Sequence, residues 1–125
     1  TCALPISWFF GRPFRVSPAT LIPRPATERL VEEAITHLRA VHGASDGASE
    51  PSRVLDLCTG TGCIAISLLR TKGFSVAITA SDFAPDALDL ARENARRHGV
   101  EERLTLLQGD LYAAALCRRF GVGCP

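Results

Sequence analysis

The sequence predicts an α/β domain built on a parallel sheet, and three observations carry that reading. Three short runs rich in apolar and β-branched residues, at 53–57, 75–81 and 104–107, are separated by two helix-length segments. Each helical segment ends on a glycine, Gly73 and Gly99, as helix C-termini commonly do. A strand–helix–strand–helix–strand order implies parallel strands with right-handed crossovers. The expected architecture is a partial doubly wound sheet of Rossmann-like type, preceded by a short hairpin arm and a helix.

The elements follow in chain order. Trp8-Phe9-Phe10 and Phe14-Arg15-Val16 flank Gly11-Arg12-Pro13, two apolar runs around a break, which predicts a hairpin. Ser17-Pro18 and Ile22-Pro23-Arg24-Pro25 hold the backbone extended, because a residue before proline avoids the helical region. A helix is expected from near Thr27, capped by that residue and ended by Gly43, with Leu30, Val31, Ala34, Ile35 and Leu38 on one stripe. Residues 43–52 (GASDGASEPS) are small and polar and read as a flexible loop. Arg53 to Leu57 is the first strand, and Ile64 to Leu69 a buried helix. Ser75 to Ser81 is the second strand, with Asp82 just past its end. Pro85 suits the first turn of the next helix, whose inner face is Leu88, Ala91 and Ala95. Leu104 to Leu107 is the third strand, followed by Gly109-Asp110. The division expected is an arm over 1–26 and a half-domain over 27–125.

Composition narrows the function classes. At 125 residues the chain holds one small domain, and 46% hydrophobic content is enough for a packed core. A net charge of +1 argues against a surface built for direct nucleic-acid binding. No apolar run approaches the ~20 residues that cross a bilayer, so no membrane partner is expected. The five cysteines are odd in number and scattered, which points to a reducing, intracellular setting rather than a disulfide framework. Cys58 and Cys63 lack the further ligands a zinc site needs, so no metal is expected. His37, His42 and His98 fall on presumed helical surfaces or ends and read as solvated histidines, and none is a convincing general base. A monomer is expected.

Ligands of open parallel sheets bind beyond the carboxyl ends of the strands. Three features converge there: the turn Cys58-Thr59-Gly60-Thr61-Gly62, Asp82, and Asp110. Glycine permits positive φ and close backbone approach. The turn opens a helix whose free N–H groups face the same space. A carboxylate at Asp82 suits both hydroxyls of a ribose, and Asp110 lies where an adenine amine would come. Taken singly, each has a plainer reading: a tight connection, a helix cap, a turn residue. Gly60-Thr61-Gly62-Cys63-Ile64-Ala65 also fits the dinucleotide fingerprint, with Asp82 22 positions after Gly60, so a nicotinamide dehydrogenase competes. Asp56 tips the balance. An acid four positions before the first glycine repels a pyrophosphate and suits a sulfonium and an ammonium, which favours S-adenosylmethionine.

Residues 14–28 (FRVSPATLIPRPATE), 54–66 (VLDLCTGTGCIAI) and 82–94 (DFAPDALDLAREN) closely resemble HemK-type release-factor glutamine methyltransferases, over roughly residues 8–112. The resemblance implies a class I S-adenosylmethionine-dependent fold. It implies cofactor binding by the turn at Cys58 to Gly62, by Asp82, and by Asp110 with Leu111. It also implies methylation of the glutamine side chain in the Gly-Gly-Gln loop of class I peptide chain release factors. The wording of the turn is closest to eukaryotic members, which implies a mitochondrial setting, or a cytoplasmic one otherwise. Catalysis in that family is mostly positioning of the amide nitrogen in line with the methyl group. Two departures stand out. Ala26 occupies a position usually acidic, and no Asn-Pro-Pro-Tyr, the amide-holding motif, occurs anywhere. No catalytic residue is therefore assigned. The chain reads as the cofactor-binding half of such an enzyme, inactive alone. The alternatives are a nucleic-acid methyltransferase, a dehydrogenase fragment, or a non-catalytic cofactor binder.

Overall fold

The computed structural model describes residues 5–43 and 50–110. A two-stranded antiparallel hairpin comes first, β1 (Ile6–Phe9) paired with β2 (Arg12–Arg15), with Phe9 opposite Arg12. Its turn is Phe10-Gly11, both at positive φ (+51° and +75°). The turn thus starts earlier than the break at Gly11-Arg12-Pro13 suggested. A two-residue loop with both φ positive twists with the strands it joins, so it outcompetes the longer break. Pro13 is tolerated inside β2 because a hairpin edge needs no N–H from it.

Helix α1 runs from Pro25 to Gly43. It starts two residues before the expected cap, because proline is preorganised for the first helical position. Thr27 lies inside the first turn and donates its N–H to the Arg24 carbonyl at 3.0 Å. Val31, Ile35 and Leu38 are buried, whereas Leu30, expected on the same stripe, is 57% exposed. The buried stripe is thus the narrow i, i+4, i+7 row. Residues 44–49 of the expected loop lie outside the described residues. The ends of that loop are structured: Gly43 closes α1, and Ser52 begins β3. His42 Nε2 lies 3.1 Å from Ser52 Oγ and ties the two together.

The parallel sheet has the order β3 (Ser52–Leu57), β4 (Val76–Asp82), β5 (Leu104–Gln108). In register, Asp56 faces Ala80 and Asp82 faces Gln108. Helix α2 (Cys63–Leu69) joins β3 to β4, and α3 (Pro85–Arg97) joins β4 to β5. The central strand β4 is the most buried, with Val76, Ile78, Thr79, Ala80 and Ser81 enclosed. The α/β parallel architecture with a preceding hairpin is the one the alternation of elements predicted. Phe9 and Phe14 leave the hairpin to join the main core, at 1% and 0% exposure, with their rings edge to face at 6.2 Å. Among the described residues no helix is long and apolar enough to cross a membrane.

Candidate functional site

The carboxyl edge of the sheet is built by the turn after β3. Cys58 and Gly60 take positive φ (+57° and +56°), and Gly62 sits at +82° as the residue before α2. The turn is closed by its own backbone: Thr59 N–H donates to the Ser81 carbonyl on β4 and Gly62 N–H to the Thr59 carbonyl, each at 2.9 Å. Gly62 has a packing reason as well. A Cβ there would lie 3.1 Å from Ile66 Cδ1 and 3.4 Å from Ala91 Cβ, so the turn lets α2 and α3 approach closely.

Two carboxylates hold this turn. Asp82, the last residue of β4 rather than the one beyond it, accepts the Gly60 N–H on Oδ2 at 3.0 Å and the Ala84 N–H on Oδ1 at 3.1 Å. Each oxygen keeps a further lone pair, so the carboxylate remains a two-point acceptor for a neighbouring diol. Asp56 is different. It is 8% exposed, accepts the Thr59 hydroxyl on Oδ2 at 2.8 Å, and takes a backbone hydrogen bond from Ala65. Burial raises its pKa, opposed by those hydrogen bonds. Asp56 buttresses the turn from behind and does not line the cavity in front of it.

That cavity, about 360 Å³, falls within the ~300–1,000 Å³ range of small-molecule sites. Cys58, Thr59, Gly60, Thr61 and Asp82 line one side, and Gly62 does not. The opposite wall is the strap Ala19–Arg24, with Thr27 from α1. Contrary to the extended run expected at Ser17-Pro18, the strap starts in a turn closed by the Thr20 N–H to the Ser17 carbonyl at 3.2 Å, and only 21–24 run on without a turn. No role in the site was expected for this strap. Its X-Pro steps were the available signal for a rigid extended wall. Thr20 Oγ1 is buried without a hydrogen-bond partner among the described residues, and a Cβ on Gly60 would meet Thr20 Cβ at 3.8 Å. Asp110 follows β5 at the same edge, where Gly109 donates its N–H to the Asp82 carbonyl at 3.1 Å. It does not line the cavity. Leu111 lies outside the described residues.

Cys63, lining the cavity at the start of α2, is buried, and burial pushes its thiol pKa up. His98 is not the solvated histidine the sequence suggested. Its ring stacks on Phe14 at 4.7 Å, Nε2 donates to the Pro13 carbonyl at 2.7 Å, and the Arg70 guanidinium donates to Nδ1 at 3.2 Å. Long-range packing of the hairpin on α3 creates that environment, which no local pattern announces.

Asn94 is a further residue that sequence reasoning passed over. It is fully buried on α3 and bonds both the arm and the glycine turn. An asparagine set among Leu90, Ala91 and Ala95 on an apolar helix face was the available signal.

A family profile described as a methyltransferase domain matches residues 48–117. The release factor glutamine methyltransferase of Nitratidesulfovibrio vulgaris is 44% identical over 108 residues, 86% of this chain and 33% of the relative. That of Chlorobaculum tepidum is 45% identical over 116 residues, 92% of this chain and 38% of the relative. The chain therefore spans about a third of the length of the curated relatives it matches. Among solved structures, an RNA methyltransferase from Salinibacter ruber in complex with S-adenosyl-L-homocysteine superposes with a TM-score of 0.56 at 28% identity. That likeness covers 77% of this chain and 54% of the other.

Proposed function

This chain belongs to the methyltransferase-domain family, and from that premise we propose that it is the S-adenosylmethionine-binding part of a protein-glutamine methyltransferase acting on peptide chain release factors. The observation that carries the cofactor reading is the tie between Asp82 and Gly60 at the mouth of the cavity. One carboxylate fixes the glycine turn and keeps acceptor capacity for a ribose. The buried, unpartnered Thr20 hydroxyl on the facing wall supports the same fit, because a polar ligand satisfies it. The residues that would hold the cofactor are Cys58, Thr59, Gly60 and Thr61 on the turn side, Asp82, and the strap at Thr20. Asp110, following β5 at the same edge of the sheet, would flank the adenine.

When bound, the cofactor supplies an electrophilic methyl group on a sulfonium. The chain's own contribution is to bind and orient. The turn and strap enclose the ligand on two sides, and Asp56 and Asp82 hold the turn in the required conformation before binding. Strong relatives named for release factors support the glutamine of the Gly-Gly-Gln loop as the methyl acceptor. The partner is accordingly a class I release factor, bacterial or mitochondrial.

Two measurements test this. Calorimetric titration of the chain should show heat with S-adenosylmethionine and none with NAD. NAD binding in place of S-adenosylmethionine would move the chain to the dehydrogenases. The protein that carries this chain, incubated with methyl-labelled cofactor and a release factor, should label the Gly-Gly-Gln glutamine. Label on RNA instead would refute the substrate.

A further inference from the structure

We infer that Asn94 is a positioning residue for the cofactor site, locking the N-terminal arm to the glycine turn; this rests on the reading of that turn as the cofactor-binding element. Asn94 sits on α3 with 0% exposure. Its Oδ1 accepts the Arg15 N–H at 2.8 Å, and its Nδ2 donates to the Arg15 carbonyl at 3.0 Å and to the Thr61 carbonyl at 2.9 Å. Both side-chain N–H donors and one acceptor lone pair are therefore used.

The partners explain the consequence. Arg15 ends β2, and the chain reaches the strap that walls the cavity after three intervening residues, through the turn that Thr20 closes on the Ser17 carbonyl. The Thr61 carbonyl belongs to the turn that forms the opposite wall. The side-chain amide meets the Arg15 backbone with the donor–acceptor pair that a neighbouring strand would offer. One rigid planar group thus sets the strap at a fixed distance from the turn. Glu93, the preceding residue, pairs with the Arg15 guanidinium and reinforces the same junction. A wall held in place before the ligand arrives spares the ordering of the strap on binding. Aspartate has the right size and lacks both donors. Leucine has the same branching and number of side-chain heavy atoms, is bulkier, and lacks every polar atom. Glutamine is one methylene too long to keep all three hydrogen bonds in place.

The test uses Asn94→Asp and Asn94→Leu, with Val76→Ala as a control. Val76 is buried at the start of β4, at the other end of the sheet from the cavity, so its variant lowers stability without touching either wall. Two readouts are needed: calorimetric titration with S-adenosylhomocysteine, and hydrogen exchange at the Arg15 amide. Both Asn94 variants should weaken binding about tenfold: Asn94→Asp loses two of the three hydrogen bonds and Asn94→Leu all three, and affinity reads only the part of that loss that frees the strap from the turn. Val76→Ala should stay within about twofold of the parent chain, a span too small to reflect a lost hydrogen bond. Arg15 exchange should accelerate in Asn94→Leu, and less in Asn94→Asp, which keeps an acceptor for that N–H. Folded Asn94 variants that bind with parental affinity overturn the inference. If the parent chain binds no S-adenosylhomocysteine, the cofactor reading fails instead. Arg15 exchange then still decides whether the lock exists, since unchanged exchange in Asn94→Leu refutes it.

Discussion

Replacing Asp82 by alanine is the perturbation with the most consequences, because its carboxylate both holds the turn and lines the cavity. In the folded chain it accepts the Gly60 N–H at 3.0 Å and the Ala84 N–H at 3.1 Å. Hydrogen bonds to a charged acceptor contribute ~1.5–3 kcal/mol when fully desolvated. Asp82 is only half-buried, so water replaces part of what is lost. The net stability loss is expected near the lower end for the pair, about 1–2 kcal/mol. A domain of this size then loses about 4–8 °C in melting temperature per kcal/mol. Ligand affinity falls for two further reasons: the ribose loses its charged acceptor, and the Gly60 N–H that framed the turn is released. Either one alone is worth about tenfold in affinity, and together they give about 10–100-fold. Asp82→Asn keeps one acceptor and should fall between the parent chain and the alanine variant. The assay is calorimetric titration with S-adenosylmethionine below the melting temperature of each variant, with folding verified by a cooperative thermal transition. Parental affinity in folded Asp82→Ala would refute the assignment of this carboxylate to the ligand.

Other expectations follow from packing and titration. Gly62→Ala combines a left-handed φ with a Cβ 3.1 Å from Ile66, and should destabilise by about 2–3 kcal/mol in chemical denaturation. Gly11→Ala has the same sign of φ and nothing within 4 Å, so about 1 kcal/mol is expected there; equal losses at both sites would discount the packing. Ser67→Ala removes a fully buried hydroxyl that lacks a partner among the described residues and adds a better helix former. A gain of about 1 kcal/mol is expected, and a loss would reveal a partner for that hydroxyl. Burial, then the nearby Arg70 and Arg12, lower the His98 pKa below 6.5 despite the bond to Pro13. The unfolded chain therefore takes up a proton first, so stability is complete above about pH 6.5 and declines as pH falls below it. Melting curves between about pH 7 and 5 should show a decline in the parent chain that is shallower in His98→Phe, which keeps the stack on Phe14. Parallel declines would contradict the origin proposed.

How much was legible in the sequence divides along the range of the interactions. The alternation of β-branched and helical segments, the glycines that end helices, and the proline that starts α3 are local signals, and they located β3, α2, β4, α3 and β5 within a residue or two. The turn at Cys58 to Gly62 and the acid at Asp82 were equally readable, because positive φ and a strand-end carboxylate leave marks in composition. The hairpin turn was misplaced because two adjacent breaks compete there, and only strand twist chooses between them. Asp56 looked like a ligand-facing acid. Its direction depends on Thr59 and Ala65 closing around it, and on burial that no spacing encodes. The strap over the cavity, Asn94 and His98 were decided by tertiary structure alone. Each depends on residues far apart in the chain, 79 positions between Arg15 and Asn94 and 85 between Pro13 and His98, brought together when the hairpin buries Phe9 and Phe14 in the core. Local sequence determined which elements form and at which edge of the sheet the glycine turn and Asp82 meet. Only hydrophobic packing of the arm, a long-range and non-directional force, decided what faces that edge.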